Sequence, residues 1–346
     1  MGVFNSKTFN SEVFAKYTET VPRVKQNALL KAGVLRTRND IKSLFNEQVG
    51  GNFATVPMTG RIGGNALNYD GATNIESTGL ETFSQSMIVV GRAKAWTEMD
   101  FSFDMTKKDF MVDIAAQTGE YWDDVDQATI LATLKGIFGV TADKFNTTHT
   151  LDITADATAV VGATTLNDAV QKAAGDNKNL FKVVIMHSAV ATTLENLQVI
   201  SYWTETDANG VQRPVALASW NGRTVLIDDD VPTEEAGDSG AKYTKYTTYV
   251  LGADAFDYVD CGAKVPVETY RDPKTNGGED TLIMRQRKIF APKGFSFVQP
   301  TSGAAIVSPT IEQLGTAARW TVVKDTAGTG FYPSKAIPFA RIISRG

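Results

Sequence analysis

The rhythm of apolar positions changes several times along the chain, and each rhythm predicts a different element. Over residues 1–50 short helical patterns appear, Val24, Leu29, Leu30 and Val34, then Ile41, Leu44 and Phe45. They are too few to enclose a core, so this stretch predicts an arm and not a domain. From Phe53 to Met99 the residues become β-prone and flank Gly60, Gly63, Gly64, Gly71 and Gly79, the pattern of a long glycine-bearing hairpin. An isolated two-stranded hairpin is marginal in water, so one this long and polar is expected to lie on something else, a neighbouring subunit included.

The strongest periodic signal follows. Phe110, Ile114, Tyr121, Val125, Ala128 and Ala132 mark one helical face, and Leu131, Leu134 and Phe138 continue it. Thr106 with Asp109 resembles a capping box, Gly136 and Gly139 supply a stop, and about 30 residues at ~1.5 Å each make a spine of ~45 Å. Gly119 inside it favours a bend and costs about 1 kcal/mol relative to alanine. After a Thr-rich connection at 141–163 the chain alternates. A helix is expected around Leu166–Ala174, a buried strand at Lys182–Met186, a helix at Ser188–Leu197, and strands at Thr224–Ile227 and Tyr246–Leu251, which together read as a compact α/β unit. Strands at Thr281–Ile289 and Phe295–Val298, joined through Ala291-Pro292-Lys293-Gly294, are expected to return to the spine's layer. No repeat of solenoid or propeller period and no low-complexity tract occurs.

Composition narrows the class. With 42% hydrophobic and 21% charged residues the chain is foldable, which excludes disordered and collagen-like proteins. No run approaches the ~18 to 20 apolar residues of a spanning helix, and MGVFNSKTFNSEVF lacks the layout of a signal peptide, so no membrane partner is expected. A lone cysteine, Cys261, forms no internal disulfide and suits folding in a reducing cytoplasm. Net charge is −5, yet residues 1–42 carry eight basic and three acidic residues, a local +5 against −10 for the remainder. That split points the arm toward an acidic partner, either neighbouring subunits or nucleic acid, although a solvated basic helix has the same composition.

Taken in order, a basic arm, a long hairpin, a spine helix, an α/β unit and a returning strand pair resemble the subunit of the HK97-type tailed-phage capsid. The segments carrying the resemblance are GRAKAWTEMDFS at 91–102, QTGEYWDDVDQATILATLKGIF at 117–138, VVIMHSAVATTLEN at 183–196, WNGRTVLIDDDVP at 220–232 and RQRKIFAPKGFSF at 285–297. The resemblance implies an α+β capsid fold with an N-arm at 1–52, an E-loop hairpin at 53–99, a P-domain at 100–145 with 265–302 and an A-domain at 146–264. Residues 303–346 stay unplaced. It also implies a major capsid protein of the virion, assembled in the host cytoplasm as hexamers and pentamers. The partners it implies are a separate scaffolding protein, a portal protein, non-specifically held double-stranded DNA and a decoration protein. A bacterial encapsulin shell, which uses the same fold, is the alternative; the long basic arm and hairpin are more typical of viral shells.

Enzymatic signals are weak, and no catalytic, cofactor-binding or metal-ligating residue is expected. Gly237-Asp238-Ser239-Gly240 looks like a serine-protease nucleophile signature, but the only histidines, His149 and His187, both lie upstream in unmatched contexts, so a flexible acidic loop is expected. His187 follows an apolar strand and begins a helix, where a hydrogen-bonding role fits and a metal would lack companion ligands. Asp228, Asp229, Asp230, Glu234 and Glu235 lack calcium-loop spacing and read as a solvated turn. Gly60-Arg61-Ile62-Gly63-Gly64 matches no phosphate-binding pattern. Trp96, Tyr121 and Trp122 read as packing residues and not as base-stacking platforms. Lysine is absent between Lys42 and Lys94, so the hairpin offers no amine for a lysine–asparagine cross-link, and guanidinium groups cannot substitute.

Overall fold

The computed structural model describes residues 33–42, 52–60, 79–106, 110–156, 159–206, 212–237, 242–325 and 330–345, with positions 62, 66–70, 74, 77 and 328. The helical patterns at Val24, Leu29, Leu30, Leu44 and Phe45, the Asp238-Ser239-Gly240 loop, and Arg61, Gly63 and Gly64 lie outside these residues.

The long helix is present as Phe110–Ile137, 28 residues or ~42 Å. Its second half sinks into the core, with Ile130, Leu134 and Ile137 fully buried. Thr106 ends a separate short helix, Asp100–Thr106, and so does not cap the long one; Asp109 lies outside the described residues. The expected stop also moves. The helix runs through Gly136, where a Cβ would stand 2.2 Å from the Leu314 carbonyl and 2.7 Å from the Trp320 ring. Gly136 therefore serves close packing: Trp320 lies against the bare helix and donates from Nε1 to Leu314 O at 2.7 Å.

Two sheets flank this helix. A five-stranded sheet contains β1 (Leu35–Thr37), β4 (Val90–Met99), β12 (Phe256–Asp260), β13 (Val267–Asp272) and β14 (Glu279–Pro292). Strand β14 is its axis, antiparallel to β4 along one side and to β13 and then β12 along the other. The arm enters here. β1 pairs in parallel with β12, and Val34 and Ile41 are buried, so part of the segment expected to lack a core belongs to one.

An eight-stranded sheet runs β5 (Thr150–Asp152), β17 (Phe339–Ser344), β11 (Tyr243–Gly252), β6 (Phe181–Met186), β9 (Arg223–Ile227), β8 (Gln212–Trp220) and β7 (Ile200–Thr206), with β10 (Thr233–Ala236) beside β11. Helices Thr165–Ala174 and Ser188–Asn196 pack on one face through Leu166, Val170, Val190 and Leu194. The other face meets the long helix through Val183, Ile185, Tyr249, Leu251 and Phe339. Burial on both faces explains why Val183-Val184-Ile185-Met186 is continuously apolar.

The hairpin pairs β2 (Phe53–Thr59) with β3 (Thr82–Ile88). Its base rests on its own chain. Ala54, Met87 and Val89 pack with Ile41, Val259 and Ile289. Buried Gln85 donates from Nε2 to the carbonyls of Pro292 and Phe295, both at 2.9 Å. That clamp accounts for a second departure. Beyond the turn at Gly294 the chain does not fold back on β14; β15 (Phe295–Phe297) crosses under β3 and pairs with β16 (Trp320–Val322). The unplaced C-terminal residues thus split, β16 beside β15 and β17 between β5 and β11 of the eight-stranded sheet.

Candidate assembly surfaces

Register decides which side chains share a face of the five-stranded sheet. Lys288 of β14 meets Asp126 of the long helix, and Trp96 of β4 makes edge-to-face contacts with Tyr121 and Trp122, so the even-numbered positions of β4 and β14 face the helix. The aromatic trio packs as expected. Odd positions face the opposite way. Near β12 the arm and hairpin base cover them, and Arg287 Nη2 donates to Asn52 Oδ1. Farther along they are bare: Ala93, Ala95 and Thr97 make a low lane beside Ile283 and Arg285, bordered by Tyr270. Thr97 and Thr281 hydroxyls meet across this face at 3.1 Å, and Arg285 pairs with Glu268 at 3.0 Å.

The described part of the hairpin beyond its paired strands presents apolar groups to solvent, Ile62 at 86% and Tyr69 at 91% exposure, together with Leu67 and Leu80. Apolar groups displayed together beyond the paired strands offer a contact to another molecule. At the far end of the sheet Arg271 makes a two-pronged contact with Asp100 and a further bond to Asp280 at 2.7 Å. Gly278 permits it, since at φ +119° a Cβ would fall 2.2 Å from the Asp100 carboxylate.

Electrostatics concentrate where the elements join. Asp126 is 4% exposed, and burial pushes its carboxyl up against the pull of Lys288, its partner in a short ion pair. Asp123 and Asp260 add like charge. The nearby Tyr258 phenol is pushed up to about 12, by burial first and then by Asp126, Asp260 and Asp123. Arg38 holds Asp40 down at about 2 and also reaches Asp257 at 3.3 Å, tying the arm to β12.

Among the described residues with catalytic associations, each side chain serves a local contact. Buried His149 donates from Nδ1 to Phe339 O at 2.7 Å, accepts at Nε2 from Ser334 at 2.8 Å, and stacks on Phe145, and burial lowers its pKa. His187 caps the helix Ser188–Asn196, its Nδ1 accepting from Ala189 N at 3.1 Å. In the acidic turn, Asp228 accepts from Gln127 and from Asp230 N, and Asp229 accepts from Ser188 N, so these carboxylates fasten the turn to neighbouring elements. No group of three or more histidine, cysteine or acidic side chains among the described residues is arranged to hold a metal, and no described helix is long and apolar enough to cross a membrane. Cys261 is buried beside the hairpin base, which pushes its thiol up to about 11.

No family model matches the chain. Among solved structures the capsid of Ralstonia phage GP4 is similar with a TM-score of 0.60 at 11% identity, covering 95% of this chain and 94% of that one. The capsid of cyanophage Pam1 gives 0.56 at 10% identity over 99% of each chain. The fold is that of an HK97-type phage capsid subunit. In sequence, the major capsid protein of Bacillus phage SPP1 is 26% identical over 299 residues, 86% of this chain and 87% of that protein. Sequence and fold together support a phage major capsid protein, and the encapsulin alternative is not favoured.

Proposed function

We propose that many copies of this subunit close into an icosahedral shell of hexamers and pentamers around packaged double-stranded DNA. One observation carries the reading: a projecting hairpin with exposed apolar residues coexists with a bare sheet face of small side chains on the same molecule. The hairpin base already packs on that face near β12, so a hairpin from a neighbour laid along Ala93, Ala95 and Thr97 continues a contact the fold makes within itself. Many modest contacts of this kind give a shell its avidity.

In the terms of the resemblance, residues 1–52 serve as the arm, 53–99 as the E-loop, 100–145 with 265–302 as the P-domain and 146–264 as the A-domain. β17 adds to the sheet of the last of these, while β12, from within 146–264, and β1, from within 1–52, pair into the sheet that holds the P-domain strands, so the bounds give way there. The basic arm docks on acidic faces of adjacent subunits or on DNA at the inner wall. A separate scaffolding protein guides assembly in the host cytoplasm, a portal protein occupies one vertex, and a decoration protein binds the outer surface. The subunit contributes no catalysis, and the shell is held without lysine–asparagine cross-links. Electron microscopy of the expressed chain, with and without the neighbouring genes, tests the proposal. Closed particles support it, and a monodisperse monomer under every condition rejects it. Uniform, correctly sized particles from the subunit alone would remove the scaffold from the scheme.

A further inference from the structure

Strand β13 is exposed along nearly its whole length, with Val267 at 51% and Tyr270 at 56%. It pairs only with β14, so its other edge carries no strand among the described residues. The ladder fixes which backbone groups that edge displays. Arg285 N donates to Pro266 O, in register with Glu268 opposite Ile283 and Tyr270 opposite Thr281. In an antiparallel pair hydrogen-bonded positions alternate, so Pro266, Glu268, Tyr270 and Asp272 bond to β14 while Val267, Thr269 and Arg271 turn their N–H and C=O groups outward. The same alternation on β4 turns Gly91 outward, and there its N–H and carbonyl are both met by the Ser308 hydroxyl. No such closure meets β13 among the described residues. An open edge with apolar side chains is a template for another strand.

Charge selects which strand. We propose that β13 pairs antiparallel with β13 of a second copy about a two-fold axis through Thr269, joining two subunits of the shell. In this register Thr269 faces Thr269 of the partner subunit, Val267 faces Arg271 of the partner subunit, and Glu268 faces Tyr270 of the partner subunit. No like charges oppose one another. Moving the axis one residue toward the N-terminus sets Glu268 against its own copy, and one residue toward the C-terminus sets Glu268 against Asp272 of the partner subunit. The contact is isologous, as a two-fold interface must be. Arg271 remains held by Asp100 and Asp280, so the face it shares with Val267 is rigid before pairing.

This inference rests on the shell proposal, and its test uses assembled particles so that the two can fail separately. Facing hydrogen-bonded residues stand about 5.5 Å apart at Cα, within the roughly 4.4–6.8 Å that a disulfide spans. Thr269→Cys particles, oxidised and run on a non-reducing gel, should give dimers on the order of tenfold above an Asn196→Cys control at the exposed end of the helix Ser188–Asn196. The native thiol, Cys261, is buried and does not compete. Thr269→Pro provides the second arm. It deletes an N–H that faces away from β14, so the subunit should keep its secondary structure by circular dichroism while its particles fail to form or fall apart at lower denaturant. Thr269→Cys particles of normal yield with no more dimer than the control overturn the inference. So do Thr269→Pro particles as stable as the unaltered ones. If the unaltered chain forms no particles at all, the shell proposal fails instead.

Discussion

Replacing Lys288 with methionine isolates the junction between the long helix and the axis of the five-stranded sheet. Methionine fills most of the lysine stem, so packing is nearly preserved and the change is electrostatic. The Asp126 side chain, 6% exposed, loses its cation and keeps Asp123 and Asp260 as like-charged company. Removing one partner of a buried pair costs ~3–5 kcal/mol, and the residual 15% exposure of Lys288 puts the expected loss near the low end, about 3 kcal/mol. The sign with pH follows from the raised Asp126 pKa. A carboxyl whose folded pKa lies above its unfolded value favours the folded state most at low pH, and that contribution is lost as pH rises through the folded pKa. Without Lys288 the folded pKa rises further, so the deficit should be largest above neutrality and shrink toward acid pH. Urea titrations of particles at several pH values, followed by tryptophan fluorescence, measure it. Asp126→Asn added to Lys288→Met should recover most of the loss, because an uncharged pair no longer strands a carboxylate. A deficit that is absent, independent of pH, or untouched by the second substitution would falsify this account.

Gly136→Ala should destabilise by ~2–3 kcal/mol despite alanine's better helix propensity, because the added methyl meets a backbone carbonyl that cannot easily retreat; thermal unfolding of the variant checks the sign. His149, buried and lowered in pKa, contributes stability that is present above its unfolded pKa near ~6.5 and lost as pH falls through the lowered value. His149→Asn should therefore flatten the acid limb of the stability profile. Removing residues 1–32 should leave a folded subunit by circular dichroism, whereas removal through residue 40 should not, since it deletes β1 and the buried Val34. Boiled in SDS under reduction, mature particles should give one band near 37.4 kDa, and a ladder would show that a lysine outside the hairpin had formed cross-links.

Much of this architecture was legible because local chemistry and tertiary context agreed. The long helix, the apolar β6 and the hairpin strands each carry a period that matches their environment. The local signal misleads where a residue's role depends on a distant partner. Gly136 reads locally as a helix stop, and only Trp320, far along the chain, makes it a packing site. Gln85 looks like a polar strand residue, yet it holds two carbonyls and turns β15 away from β14. Short strands suffered most. β1, β5 and β16 have three residues each, below the length at which alternation is visible, and they exist because neighbours supply their ladders. The hairpin of β7 and β8 is hidden for a different reason, because polar Thr204, Glu205, Gln212 and Arg213 break the apolar run. Assembly surfaces are the hardest case: exposed apolar residues such as Tyr270 have the same composition as core residues, and only coordinates separate them.

Anchoring of the hairpin base by Gln85 has a genetic consequence. Substitutions between Phe53 and Thr59 or Thr82 and Ile88 that loosen the clamp act within one molecule, and their phenotype belongs to single-chain folding: heat-sensitive accumulation of insoluble subunit, recessive to a wild-type copy. On the assembly proposed above, substitutions at the exposed Ile62, Leu67, Tyr69 and Leu80 leave the clamp whole and alter what a neighbour meets. Those alleles should yield soluble protein that poisons mixed particles, and so behave as dominant. A screen scored for dominance would thus map the boundary between scaffold and contact within a single hairpin, at the edge of the paired strands.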